Sequence, residues 1–331
     1  MSCMKPVNLS RVLITRHDKI GDFVLTLPLC KAIKAVKPEI RLAVLVAPVN
    51  LEFAKEIAFI DEVICYRKGE GNATLNAIRR FNPDVSISCF IDTDLGWLLW
   101  RAGIKYRFAP ETKLAQVFFN QCVKQRRSRV EMAEFEYNLA LGQSLIPELP
   151  LAIEPPILSF RQPEKGPDGY SDVRKRVVFH PGSGGSTDGN LSLDEYLRLG
   201  RKAAQMPGVQ VFFTFGPDDR RLLDQVKKSL DFPAQLINGF SSLRAFCEFL
   251  QGCSLFVSTS TGPMHLAGAV NTSTLSFFGD SRFASSARWK PVNAPERHHS
   301  FMLPTGDGRE DYVDVEQRLL KILDDSLRDP A

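Results

Sequence analysis

The segment RVLITRHDKIGDFVLTLP, residues 11–28, places two carboxylates, Asp18 and Asp22, in a short polar turn between a β-rich run and an apolar run. A turn solvated on the surface has no special need for them. At the carboxyl edge of a parallel sheet, where α/β proteins bind ligands, such a pair can handle protons. The local alternative is capping, because a carboxylate at a helix start satisfies orphan amides. Two more segments gather glycines and hydroxyls after strand-like runs. In HPGSGGSTDGN (180–190), the stretch Ser183, Gly184, Gly185, Ser186 and Thr187 is a phosphate-cradle candidate, since glycine lets a ligand approach the backbone. It lacks the Gly-Lys-Ser/Thr of a Walker A loop and the GxGxxG spacing, and a flexible turn reads the same way. In STSTGPMHLAGA (258–269), Ser260, Thr261, Gly262 and Pro263 open a small-residue helix. Proline suits a first helical turn, free amides there can bind an anion, and His265 can donate to a phosphate. A simply packed histidine is the plainer alternative.

Two weaker signals remain. Asp92 and Asp94 form a DxD in FIDTDLG, a pattern that holds a divalent ion in metal-dependent glycosyltransferases. Helix capping explains it better. His298–His299 has no third ligand at zinc spacing.

The elements that would position these residues alternate between strand and helix. RVLITR (11–16), RLAVLVAP (41–48), EVICY (62–66) and VSISCF (85–90) are near-continuous apolar runs, as in parallel strands covered on both faces. FVLTLPLCKAIKAV, LEFAKEIAF and NATLNAIRRF lie between them as crossover helices. After the proline-rich stretch 146–169 the pattern restarts, with strands at 176–182, 209–216, 234–238, 255–260 and 272–279 and three intervening helices. An amphipathic segment, DYVDVEQRLLKILDDSL, follows. The pattern predicts an α/β chain of two Rossmann-like domains, 1–160 and 161–331, with parallel sheets facing a central cleft and a final helix able to pack back on the N-terminal domain.

Charge and cysteine usage narrow the class. The net charge of +4 is too mild to argue for nucleic acid. It is unevenly spread: Arg101, Lys105, Arg107, Lys113, Lys124, Arg126, Arg127 and Arg129 face a single acid, Glu111, over 101–129. That run suits an anionic ligand or an anionic membrane surface, with a solvated charged face as the plainer alternative. VKQRRSR has few interleaved aromatics, so it lacks the stacking platform of a single-strand binder. Seven cysteines without a CxxC pair point to a reduced cytoplasmic compartment. The first residues lack a signal-peptide core, and no run approaches the roughly 18 to 20 apolar residues that span a bilayer. Membrane contact would be peripheral.

RVLITRHDKIGDFVLTLP, GIKYRFAP, HPGSGGS, GPDDR and STSTGPMHLAGA occur in the order seen in the lipopolysaccharide heptosyltransferases, glycosyltransferase family 9, which the chain resembles over roughly residues 11 to 290. The resemblance implies a GT-B fold and an inverting, metal-independent transfer with no cofactor. The donor, usually ADP-heptose, is held by the C-terminal half. The acceptor, a lipid-linked anionic lipopolysaccharide core at the cytoplasmic face of the inner membrane, is held by the N-terminal half. It implies Asp22 as general base, with Asp18 structural or acceptor-orienting. Lys19, Arg126, Arg127 and Arg129 are then acceptor candidates, and Asp218 or Asp219 would meet the donor ribose. The chain departs from the family pattern at two places: Ser186-Thr187-Asp188-Gly189-Asn190 lacks the basic residue usual after GSGG, and Ser260 stands where aspartate is common. These departures keep open a different nucleotide sugar or a non-catalytic sugar-nucleotide binder. A nucleotide-binding dehydrogenase is disfavoured by the missing glycine fingerprint.

Overall fold

The computed structural model describes residues 9–111, 114–160, 175–183, 189–303 and 312–328. The chain divides into two compact units, Met1–Ile153 and Glu154–Ala331, and the division falls inside the proline-rich stretch.

The first unit holds β1 (Arg11–Arg16), β2 (Arg41–Val46), β3 (Glu62–Cys65), β4 (Val85–Ser88), β5 (Tyr106–Pro110) and β6 (Gln121–Val123). They form one parallel sheet in the order β3-β2-β1-β4-β5-β6. The second unit holds β7 (Lys175–His180), β8 (Val209–Phe215), β9 (Gln235–Asn238), β10 (Leu255–Thr259), β11 (Thr274–Gly279) and β12 (His298–Leu303). Its parallel sheet runs β12-β11-β10-β7-β8-β9. Both orders are the same permutation, with the unit's first strand between its second and fourth. The winding reverses at β1/β4 and at β7/β10, and the carboxyl ends of strands at such a reversal open the crevice where ligands bind. The central strands β4, β10 and β11 are buried along their length, and the polar residues they carry are small hydroxyls such as Ser86, Ser88, Thr274 and Ser276.

Several elements differ from the sequence-based expectation. The run 23–36 is two helices, Ile20–Val24 and Leu27–Val36, with Pro28 in the first turn of the second, where its missing N–H costs nothing. The half-exposed starts of β5 and β12, and the mixed polarity of β6, hid these strands. Helix Glu134–Gln143 was also not anticipated; it buries Glu134 and Asn138 alongside its apolar side chains, so no clean stripe marks it. The final helix, Tyr312–Arg328, belongs to the second unit. Val315, Leu319 and Leu323, one stripe at four-residue spacing, join the core beside helix Leu193–Ala204, and Lys202 meets Glu316 at 3.4 Å.

Helix Glu134–Gln143 approaches helix Leu27–Val36 closely because Gly142 has no side chain. A Cβ there would collide with Leu29 and stand 3.0 Å from Leu149 Cδ1. Replacing Gly142 by leucine is expected to overpack this contact and cost about 1–3 kcal/mol, read as a lower midpoint in urea unfolding.

Candidate active site

At the β1/β4 switch point the chain gathers charge. Arg16, the last residue of β1, is buried with 4% of its side chain exposed. Each guanidinium nitrogen has a carboxylate: Nε donates to Asp18 Oδ1 at 2.8 Å, Nη2 to Asp22 Oδ1, and Nη1 to Glu134 Oε1 at 3.0 Å. Burial alone would lower the Arg16 pKa, but Asp22, Asp18 and Glu134 together raise it, so the group is permanently charged.

Asp22 lies in the first turn of helix Ile20–Val24, whose N-cap is Lys19, with no side-chain cap. The carboxylate bonds Arg16 instead of capping, and 17% of its side chain stays open to solvent. Burial pushes its pKa up to about 6; Arg16 opposes the rise, while Asp18 and Glu134 add to it. Such a group is mostly ionised at pH 7 yet more basic than a solvated aspartate, the range a general base needs. Asp18 orients Arg16 through its carboxylate and accepts from Asn50 Nδ2 through its carbonyl at 3.2 Å.

The basic candidates separate. Lys19, Arg126 and Arg129 are exposed, and Arg129 reaches Glu131 at 3.8 Å. Arg127 turns inward to Glu134 Oε1 at 2.5 Å and to the Cys89 carbonyl at 3.1 Å. Lys113 lies outside the described residues. Asp92 caps helix Thr93–Arg101 through Leu95 N at 2.7 Å, and its other oxygen meets His17 Nε2 at 2.7 Å. Arg16, Glu134 and His17 were missed by sequence reasoning. Only Arg16 left a signal, as a charge ending an otherwise apolar strand.

The second unit offers neutral donors at its β7/β10 switch point. After His180 the loop passes Pro181, Gly182 and half-buried Ser183; Gly184, Gly185, Ser186 and Thr187 lie outside the described residues. Gly189 has φ +111°, and a Cβ there would run into the backbone of Phe278 and Gly279. Its carbonyl accepts from Thr259 Oγ1 at 2.6 Å, and Asn190 donates to the Pro181 carbonyl at 3.1 Å. The loop is thus tied at both ends to the sheet edge. Asp219 accepts from Gly216 N at 2.8 Å, and a Cβ on Gly182 would come within 2.7 Å of its Cγ. Asp218 beside it is exposed. Helix Gly262–Ala269 begins at Thr261, which is extended and does not cap it; the hydroxyl donates to the Thr259 carbonyl at 3.3 Å. Pro263 occupies the first turn and Ser260 N is tied to the Phe277 carbonyl at 3.0 Å. The helix therefore presents backbone amides without a side-chain cap, the arrangement that receives anions.

His265 is buried, and its Nδ1 has no hydrogen-bond partner among the described residues. Burial, followed by the influence of His298, pushes its pKa down to about 3. Without a bound anion it is a neutral ring, which offers one neutral N–H.

Acid should destabilise the protein well above the carboxylate range. Burial pushes His180 and His298 down to about 4 and His265 to about 3. Below pH 6.5 the unfolded chain takes up protons that these native rings refuse, so stability falls as pH drops toward 4. Asp22 opposes this, because its native carboxyl binds a proton near pH 6 before the unfolded one does. Burial lowers His299 as well, so four imidazoles against one carboxyl leave a net loss, at up to about 1.4 kcal/mol per pH unit for each uncompensated group. Urea unfolding at pH 7, 6 and 5 checks the direction.

The chain is 32% identical over 314 residues, 90% of each chain, to a Haemophilus influenzae protein named "Putative glycosyltransferase". Its fold matches E. coli ADP-heptose lipopolysaccharide heptosyltransferase II with a TM-score of 0.75 at 18% identity, covering 96% of this chain and 98% of that one. It also matches E. coli heptosyltransferase WaaC with ADP-2-deoxy-2-fluoro heptose, at 0.72 and 18%, covering 94% and 99%. These matches identify the paired parallel sheets as the GT-B type. The sequence profile of glycosyltransferase family 9 (heptosyltransferase) covers residues 100–306. With that profile spanning most of the chain and a full-length relative above 30% identity, the protein belongs to glycosyltransferase family 9 and is a glycosyltransferase of the heptosyltransferase type.

Proposed function

We propose that this enzyme transfers a heptose, with inversion and without a metal ion or other cofactor, from ADP-heptose to a lipopolysaccharide core acceptor. The observation that carries the reading is the Asp22 carboxylate, half-buried at the β1/β4 switch point and held by Arg16 instead of capping its helix. In the transfer an acceptor hydroxyl oxygen bonds to the anomeric carbon and passes its proton to Asp22, while the bond to the diphosphate breaks and its electrons leave with the phosphate. The first unit then holds the acceptor, with Asp18, Lys19, Arg126 and Arg129 near it, and the second holds the nucleotide sugar. The uncapped amides of Thr261 and Gly262, the hydroxyls of Ser183 and Ser260, and neutral His265 would stabilise the growing negative charge. Asp218 and Asp219 are the candidates for the ribose hydroxyls. The structure of WaaC with a fluorinated ADP-heptose supports the choice of donor. Ser260 favours one rival, a different nucleotide sugar, and a thermal-shift screen of ADP-, GDP-, UDP- and dTDP-sugars separates the two.

Asp22→Asn keeps the side chain's size but cannot take a proton, so kcat should fall at least about 10²-fold with donor affinity near normal. Asp18→Asn should be milder. A folded Asp22→Asn enzyme with near-normal turnover would remove Asp22 from the chemistry. Transfer should also survive EDTA; loss on chelation with recovery on adding magnesium or manganese would show a metal enzyme.

We also place the enzyme on the cytoplasmic face of the inner membrane as a peripheral protein. Among the described residues no helix is long and apolar enough to cross a bilayer. Helix Thr93–Arg101, packed on the turn Leu114–Phe118, leaves Trp97, Trp100, Leu114 and Val117 exposed, with Trp100 at 55%. Arg101 lies 4.5 Å over the Trp97 ring and exposed Lys105 follows. Amphipathic aromatics beside cations suit the interface of an anionic membrane. The double variant Trp97→Ser, Trp100→Ser should lose sedimentation with phosphatidylglycerol vesicles while keeping turnover on a soluble acceptor.

A further inference from the structure

Two side chains behind Asp22 have no part in the reaction as described. Arg127 sits in the single turn Arg127–Arg129, and Glu134 opens helix Glu134–Gln143 with 2% of its side chain exposed. Glu134 Oε1 accepts from both Arg16 Nη1, at 3.0 Å, and Arg127 Nη1, at 2.5 Å. Arg127 also donates to Gln125 Oε1 at 3.1 Å and to Asn138 Oδ1 at 3.3 Å. The Cys89 carbonyl at the end of β4 accepts from both guanidiniums, at 3.3 Å from Arg16 and 3.1 Å from Arg127. The chain of contacts returns to its origin, because Asn138 Nδ2 donates to the carbonyl of Leu25, just past the helix that carries Asp22.

This arrangement solves a charge problem. Three carboxylates converge on Arg16; Asp18 and Asp22 keep contact with solvent, whereas Glu134 is fully buried and shares a guanidinium already engaged by the other two. Arg127 brings the second positive charge, and brings it to Glu134. We propose that Arg127 and Glu134 are positioning residues for the transfer, Arg127 compensating Glu134 so that Arg16 stays committed to holding the Asp22 carboxylate in place. The proposal rests on the reading of Asp22 as the base. It gives Arg127 a role different from its neighbours Arg126 and Arg129: its donors face the cluster, whereas theirs face solvent.

Among the described residues, the groups that can act on Asp22 are few. Arg16 and Asp18 face it from β1 and the following turn, and Glu134 from helix Glu134–Gln143. The Thr26 hydroxyl donates to its carbonyl at 3.1 Å, and Arg127 and the Cys89 thiol stand behind. Burial pushes the thiol up to about 11, so it stays neutral over the range of interest. Removing the Arg127 charge leaves Glu134 uncompensated and makes Asp22 hold its proton more tightly. Neutralising Glu134 frees Arg16 for Asp22 and loosens the proton. The two variants should therefore move Asp22 in opposite directions, which a purely structural role would not do.

The test uses the full chain and carboxyl ¹³C resonances, with Asp22 assigned by its loss in Asp22→Asn. In Arg127→Met the Asp22 titration midpoint should rise, and in Glu134→Gln it should fall, each by at least about half a pH unit. Arg127→Lys should return it toward the wild-type position. In turnover, Arg127→Met should lower kcat about 10- to 100-fold with donor KM little changed, and its acidic limb should move up with the resonance. Unmoved midpoints, or shifts in the same direction, overturn the proposal. If Arg127→Met fails to fold, the near-isosteric Glu134→Gln decides alone: a fallen midpoint supports the proposal and an unchanged one overturns it. Normal turnover in Asp22→Asn overturns the base assignment and this proposal together, whereas an inactive Asp22→Asn with an unmoved resonance in the other variants overturns only the positioning role.

Discussion

One guanidinium organises the first unit. Arg16 is carried into the interior by β1, and a buried charge must be met by charges and hydrogen bonds or leave the interior. Its fork supplies donors in three directions, so one side chain can gather a carboxylate from the following turn, one from the next helix and one from a helix 118 residues further along. The carbonyl of Cys89 fastens the same group to β4. Removing one member of such a cluster leaves the others buried and uncompensated, a cost of about 3–5 kcal/mol. Asp22 therefore has a fixed orientation before any substrate arrives, and orientation in advance is what a proton acceptor needs.

The second unit repeats the strand order and solves a different problem. No comparable knot of charge sits among the described residues at its switch point. The loop after β7 is tied down by backbone contacts at Gly189 and by Asn190, and helix Gly262–Ala269 offers uncapped amides. Fixed dipoles of this kind favour an anion without requiring a buried positive group, and His180 and His265 are kept neutral by burial. The same topology thus carries a charged, rigid carboxylate site in one unit and a neutral donor site in the other.

The sequence alone determined the two alternating α/β halves, because its information there is local, though not β5, β6, β12 or helix Glu134–Gln143. β1 reads as an apolar run from Arg11 to Arg16 and has those limits in the structure, and the loops after β1, β7 and β10 carry their own turn and hydroxyl signals. The resemblance in motif order added the family, and it singled out Asp22 in a turn whose local sequence reads equally as a helix start. Tertiary structure decided what each polar group is spent on. Arg127 is one of eight basic residues in a run, and nothing nearby in the chain shows that it turns inward while Arg126 and Arg129 face solvent. Glu134 opens a helix whose buried face mixes charge with apolar side chains, so no periodicity announced it. The neutrality of His265 and the raised basicity of Asp22 follow from burial, which depends on every element packed around them. Local patterning fixes where strands end and where a site can form; the charge state and orientation of that site arise from contacts between residues distant in the chain.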